Sequence, residues 1–242
     1  MLTKPSQEPC EVSGCHAYNA LLRRLDANDA RVFRDATRTK KFPVGRTLFS
    51  QGETCEQLYF IESGLVGLRR SDENGNSALL RLCRAGESLG YRAITAGAAH
   101  QNTAEVLASS QVMIVSKSVL RWLAHRNTEF SGGFLGFALN ALNQTEAICA
   151  ELLTARLKDR LLSLLAMFDE RVVGSESSQR FEIELPIQRK DLADLLGTNP
   201  ASLSRTIARL HKDGDVRFNG RRVLVLKPEA LKKEASRFWV QS

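Results

Sequence analysis

The spacing of apolar residues changes period along the chain, and each change marks a different architecture. From Ala20 to Phe33, Leu21, Leu22, Leu25 and Val32 recur at helical intervals. From Phe42 to about Ser116 the period shortens to that of strands: Thr47–Phe49, Leu58–Ile61, Leu65–Leu68, Ala78–Leu82, Ala104–Leu107 and Val112–Val115. Gly45, Gly52, Gly64, Gly75, Gly86, Gly90 and Gly97 fall between or beside them as turn formers. This spacing predicts an all-β roll or barrel, able to enclose one small ligand or to be packed solid with side chains. From about Ser118 to Arg171 the pattern is helical again, with an interruption expected around Asn127-Thr128-Glu129 or Gly132-Gly133. Leu135, Leu142 and Cys149 recur at every seventh position, with Leu139 and Leu152 or Leu153 between them. Two copies could pair along such a seam, or the helix could pack on its own barrel. The polar stretch Val173–Gln179 reads as a loop, and Phe181–Leu185 as a short strand opening a last domain.

That last domain carries the most specific pattern. Gln188–Leu196 places Leu192, Leu195 and Leu196 on one helical face, with Arg189 and Lys190 near its start, and Gly197 ends it. Thr198 follows, then Asn199 as the expected N-cap and Pro200 as the first residue of a second helix, where a missing N–H costs nothing. Leu203, Ile207 and Leu210 point inward at i, i+4 and i+7, which leaves Ala201, Ser202, Ser204, Arg205, Arg209 and Lys212 for other faces. Small residues allow close approach to a major groove, a serine hydroxyl bonds a base or phosphate, and arginine forks onto guanine O6 and N7. Val216–Val225 then alternates around Asn219-Gly220, a strong hairpin signal, and forms a basic wing with Arg217, Arg221 and Arg222.

Charge agrees with a polyanionic partner. The 242 residues carry a formal net charge of +7, and from Pro200 onward ten basic residues face four acidic ones, which concentrates most of that excess here. A composition of 43% hydrophobic and 25% charged residues suits two modest globular domains. No apolar run is long enough to span a membrane, and Met1–Pro5 has no apolar signal core. Five scattered cysteines, Cys10, Cys15, Cys55, Cys83 and Cys149, fit reduced thiols better than a disulfide framework. A cytoplasmic protein without a membrane partner is therefore expected. No Walker loop, GxGxxG, HExxH or CxxC is present, so no enzyme is expected.

The order of glycine-punctuated roll, long helix and winged helix-turn-helix resembles the CRP/FNR family of bacterial transcription regulators. Gly45–Glu53, Leu58–Gly64 and Leu203-Ser204-Arg205 carry the resemblance, which runs from about Leu25 to Leu226. It implies an α+β fold with a cyclic-nucleotide-binding-like sensor, a homodimer paired through the long helix along Leu135, Leu139, Leu142, Cys149 and Leu152, and a near-palindromic DNA site. RNA polymerase is a further partner if the protein activates. Arg189 resembles the family's phosphate-contacting arginine, and Ser204 and Arg205 the serine–arginine pair of the FNR branch. The contact set implied is Arg189, Thr198, Asn199, Pro200, Ala201, Ser202, Ser204, Arg205, Arg209 and Arg221. Family members commonly carry a glutamate where this chain has Ala201, so the resemblance implies an altered preference at the base pair that glutamate reads.

The signal is less legible. Cyclic-AMP-binding members hold the ribose and phosphate with a Gly-Glu turn and an Arg-Ser pair. Here the turn is Gly90-Tyr91-Arg92 and the later segment His100-Gln101-Asn102-Thr103, which argues against cyclic AMP. Tyr91, Arg92, His100, Asn102 and, near the family's base contact, Thr145 form the expected effector pocket. Iron–sulfur members need three clustered head cysteines and one from the roll; this chain has Cys10 and Cys15, and Met113 at the roll position. Cys10, Cys15 and His16 could join a metal or cluster, or the two cysteines could form a reversible disulfide. Apolar neighbours mark Cys83 as a buried structural thiol. His100 is the candidate haem ligand, set against a solvated loop histidine. Haem, an iron–sulfur cluster and a small organic effector stay open.

The expected organisation is a head over 1–20, a β-roll sensor over 21–126, a dimerisation helix over 127–157 and a winged helix-turn-helix over 158–242. The expected function is a dimeric DNA-binding transcription regulator governed by an effector or redox signal; an effector-independent regulator, or a protein-interaction scaffold using the winged helix, is the alternative.

Overall fold

The computed structural model describes residues 15–95, 97–168 and 180–238. These divide into two compact units, one reaching to Ser77 and including Arg81–Asn140, the other comprising Ala78–Leu80 and the chain from Ala141 onward.

The first unit opens with α1 (His16–Leu22) and α2 (Ala27–Ala36), continues through β1 (Arg38–Phe42), β2 (Thr47–Phe49), β3 (Gln57–Ser71), all of β4 (Ser77–Arg84) except Ala78–Leu80, β5 (Ser88–Leu89) and β6 (Thr103–Ser116), and returns to helix in α3 (Lys117–Arg126). The strands form one sheet in the order β1-β6-β3-β4, with β2 also on β6 and β5 on β3. Strand periodicity divides its core in two. Along β3, Leu58 and Phe60 join the helices' cluster of Tyr18, Phe33 and Phe130, whereas Tyr59 and Ile61 join Phe49, Val66, Cys83 and Val106 inside the roll. Their partners on β6 alternate in step, Phe60 opposite Met113 and Tyr59 opposite Ile114.

Several elements differ from the sequence expectation. The first helix is two, because the Asp26 carboxylate accepts the Asp29 N–H at 2.8 Å and starts α2 afresh. The four strands expected at 58–61, 65–68, 104–107 and 112–115 are two long ones, β3 and β6, whose register shifts between Ile61 and Val66. Gly64 bends β3 there without ending it, at φ +97°, and a Cβ on it would lie 2.5 Å from the Ser109 carbonyl oxygen. The Ser110 hydroxyl fills the irregularity, accepting the Leu65 N–H at 3.1 Å and donating to the Ala108 carbonyl at 2.7 Å. β1 was not expected, because Arg38–Lys41 are all exposed and give no alternation to read.

The helix α4 (Thr128–Thr154) is continuous through Gly132-Gly133. The chain breaks before it, where Asn127 Oδ1 accepts the Phe130 N–H at 2.9 Å. In the second unit, α5 (Leu157–Ala166), α6 (Arg189–Leu195), α7 (Pro200–Asp213) and α8 (Pro228–Phe238) surround a three-stranded sheet of β7 (Phe181–Glu184), β8 (Val216–Asn219) and β9 (Arg222–Val225), in the order β7-β9-β8. Leu161, Leu164, Leu203, Leu210, Val223 and Leu231 are fully buried at its centre. No helix among the described residues is long and apolar enough to cross a membrane.

Candidate nucleic-acid interface and sensor cleft

Helix α6 begins where the Gln188 N–H donates to Asp191 Oδ2 at 3.3 Å, and it stops at Gly197, which takes φ +57°. Asn199 then caps α7, its Oδ1 accepting the Ser202 N–H at 2.9 Å, with Pro200 as the first helical residue. Leu203, Ile207 and Leu210 are buried, as their spacing requires, and this turns Ala201, Ser204, Arg205 and Arg209 to solvent. Ser202 and Thr198 are half-buried, and Ser202 Oγ accepts from Arg205 Nη2 at 3.0 Å, so the arginine is steered along the helix surface. Asn199 and Pro200 are exposed at the tip of the turn.

The wing stands beside this helix. Gly220 closes the β8–β9 hairpin at φ +61°, and Arg217, Arg221 and Arg222 are exposed along it. Phe218 is the joint: its backbone N–H donates to His211 Nε2 at 2.8 Å, and the guanidinium of Arg189 lies 5.5 Å over its ring. His211 was not among the expected site residues, and nothing in its sequence spacing marks it.

The roll holds a cleft of about 90 Å³ lined by Phe49, Leu68, Leu89, Gly90 and Tyr91, with Arg81, Arg92, His100, Gln101 and Asn102 supplying polar groups. Tyr91, Arg92, His100 and Asn102 are thus brought together. His100 is not a solvated loop residue: it is 5% exposed and stacks on Phe49, and burial holds its imidazole below the usual range against the opposing pull of Glu53. Arg81 was missed, although a single charge in the apolar run of Leu79–Cys83 was its signal; its guanidinium is paired with Glu87. Gly90 keeps the floor open at φ +80°, where a Cβ would lie 2.6 Å from the Gln57 carbonyl oxygen. Asn102 Oδ1 is buried with no hydrogen-bond partner among the described residues.

Comparison with known proteins gives both halves a family. Residues 39–127 match the cyclic nucleotide-binding domain and residues 155–234 the Crp-like helix-turn-helix domain. The chain belongs to the CRP/FNR family of transcription regulators. Similar curated proteins include the CRP-like cAMP-activated global transcriptional regulator of Mycobacterium tuberculosis, 25% identical over 80% of this chain and 86% of that one. The fumarate and nitrate reduction regulatory protein of Vibrio cholerae is 25% identical over 92% of both chains. Among solved structures, FixK2 from Bradyrhizobium japonicum aligns with a TM-score of 0.65 at 20% identity, covering 81% of this chain and 96% of its own.

Within the CRP/FNR frame the remaining expected sites can be placed. Thr145 on α4 is exposed, and its hydroxyl donates to the Ala141 carbonyl of its own helix at 2.8 Å. On α4, Leu135, Leu139 and Leu142 are 60%, 50% and 53% exposed, and Cys149 is exposed. Leu152 leaves that stripe: it packs towards Gly197, where a Cβ would meet its Cδ2 at 2.8 Å, and Leu153, 87% exposed, continues the stripe instead. The reason is phase: the exposed row steps by four and three, through 135, 139, 142, 146, 149 and 153. Of the thiol set, Cys10 lies outside the described residues. Cys15 is fully buried at the start of α1, and burial pushes its thiol up, the reverse of a reactive thiolate; His16 beside it is exposed. Cys83 is fully buried and pushed up to about 12, as a structural thiol in an apolar strand should be. Among the described residues no group of three or more His, Cys, Asp or Glu side chains is arranged to hold a metal ion.

Proposed function

We propose that this CRP/FNR-family regulator acts as a homodimer that binds a near-palindromic DNA site and is controlled by a small organic effector in the roll. The observation that carries the DNA reading is the capped helix α7, which presents Ala201, Ser204, Arg205 and Arg209 to solvent beside a wing carrying Arg217, Arg221 and Arg222. Small residues at the helix start and arginines further along suit entry into a major groove, with the wing on the flanking phosphates. Arg189, Thr198, Asn199, Pro200 and Ser202 complete the contact set. The exposed leucine stripe of α4 supports pairing of two copies, because apolar side chains at that spacing are costly to leave in water.

Three features favour an organic effector over haem or a cluster. The cleft offers an aromatic shelf, Phe49 with His100; Arg81 is already paired with Glu87, which leaves exposed Arg92 for an anionic group; and Asn102 Oδ1 would accept an N–H or O–H. Effector binding would then shift the population of the DNA-competent state by its differential affinity for the two states.

Selection from a pool of randomised duplexes, followed by anisotropy titration across salt concentrations, tests the DNA reading. Enrichment of a two-fold-related motif and a steep fall of affinity with salt are expected. Salt-independent binding, or no enrichment, would replace this reading with the protein-interaction scaffold. The absorbance spectrum of anaerobically purified protein tests the effector class: no Soret band and no broad absorbance near about 400 nm are expected, and either one would overturn the organic effector.

A further inference from the structure

In the three-stranded sheet of the second unit, β8 is an edge, so the amides it turns away from β9 have no ladder partner among the described residues. One of them, the N–H of Phe218, is taken by a side chain from another element: it donates to His211 Nε2 at 2.8 Å, from the last turn of α7. The two rings lie 6.2 Å apart and 29° from parallel, and the Arg189 guanidinium from the first turn of α6 stands over the Phe218 ring. Elements that start at three different places in the sequence therefore meet on one wing residue. We propose that His211 is a positioning residue for DNA binding, which fixes the wing against the recognition helix by accepting the Phe218 amide.

An imidazole accepts through Nε2 only while that nitrogen is unprotonated, with the proton on Nδ1. In this form His211 closes a short circuit from the C-terminal turn of α7 to the middle of β8, one residue from Asn219 at the hairpin turn. Arg217 and Arg221 project from the same hairpin, so its angle to α7 sets where those charges meet the phosphates. Without the anchor the hairpin keeps its own ladder to β9, but its N-terminal strand loses its side-chain tie to α7. The wing would then sample a range of angles, and its arginines would neutralise fewer phosphates on average. His211 itself need not touch DNA.

This inference rests on the DNA-binding reading above, and its test separates the two. The variants are His211→Leu, which keeps bulk and removes the acceptor, and His211→Gln, which returns an acceptor. Amide hydrogen exchange at Phe218 is read by NMR on the free protein, and binding to a mixed-sequence duplex about 30 base pairs long is read by anisotropy over a range of salt. H211L is expected to speed exchange at Phe218 by roughly 10-fold or more. It is also expected to reduce the slope of log affinity against log salt by about 1 to 2, because each lost phosphate contact removes about 0.9. H211Q should return both quantities towards wild type, which general destabilisation of the domain would not do. Wild-type exchange and slope in H211L, or no recovery in H211Q, would overturn the proposal. Wild-type protein that binds no duplex while Phe218 exchange still responds to H211L would overturn the DNA reading and leave the anchor itself standing.

Discussion

The imidazole of His100 lies flat on the ring of Phe49, with centroids 3.7 Å apart and planes 12° from parallel. Burial favours the neutral ring, so its folded-state pKa lies below the ordinary 6.5. The stability this contributes is complete above about pH 6.5 and is lost as pH falls through the depressed folded value. Melting temperature measured from pH 7 to pH 5 should therefore decline more steeply in the wild type than in His100→Phe, which keeps the stack and cannot titrate. Equal slopes in the two proteins would rule out this origin.

Glu151 carries the opposite dependence. It is 4% exposed in α4, and burial raises its carboxyl to about 7, with Arg160 pulling down and Glu234 pushing up. The folded state thus binds a proton that the unfolded chain releases near 4.5, so this contribution is complete below about pH 4.5 and is lost as pH rises to about 7. Glu151→Gln should gain roughly 2 kcal/mol at pH 8 and little at pH 4.5. Urea unfolding at those two pH values reads the difference, and a gain of equal size at both would exclude the buried proton.

Gly64→Ala should destabilise the sensor unit by about 2 to 4 kcal/mol, because the site combines positive φ with a backbone oxygen where the methyl would stand. Chemical denaturation of the variant measures it. A cost under about 0.5 kcal/mol would mean that β3 and β6 separate freely at the bulge.

Leu139→Asp in α4 places a charge in the middle of the exposed stripe. Sedimentation velocity should show a dimer for the wild type and a monomer for the variant, with unchanged helix content by circular dichroism. A dimer that survives this change pairs through another surface.

Ala201→Glu tests the departure from the family's common pattern at the start of α7. The glutamate can accept from a cytosine amino group, so discrimination at one base pair per half-site should rise by about 1 to 3 kcal/mol. Titration against duplexes varied at that pair alone checks it, and unchanged discrimination would place Ala201 away from the bases.

The winged helix was legible because each device is local: Gly197 as stop, Asn199-Pro200 as cap and start, Asn219-Gly220 as hairpin. The roll was legible as strands but not as these strands. Gly64 looks like a turn residue, and only the crossing of β6 makes it a bulge within one long strand. Edge strand β1 hides because Arg38–Lys41 face water and show no alternation. The cleft residues Tyr91, Arg92, His100 and Asn102 lie within twelve positions of one another, so sequence could group them; Phe49 and Arg81 come from other strands and could not be joined to them. Leu152 and Leu153 differ only in helical phase, and packing on Gly197 separates them.

Gly197 answers to two constraints at once. Its positive φ makes the turn between α6 and α7, and its missing side chain is the seat for Leu152. Asparagine, which elsewhere tolerates a left-handed backbone, would satisfy the first demand but would force the end of the Leu152 side chain to turn aside. Random mutagenesis should accordingly recover substitutions at position 197 more often in clones where position 152 has also shrunk, a paired dependence that a survey of single substitutions would miss.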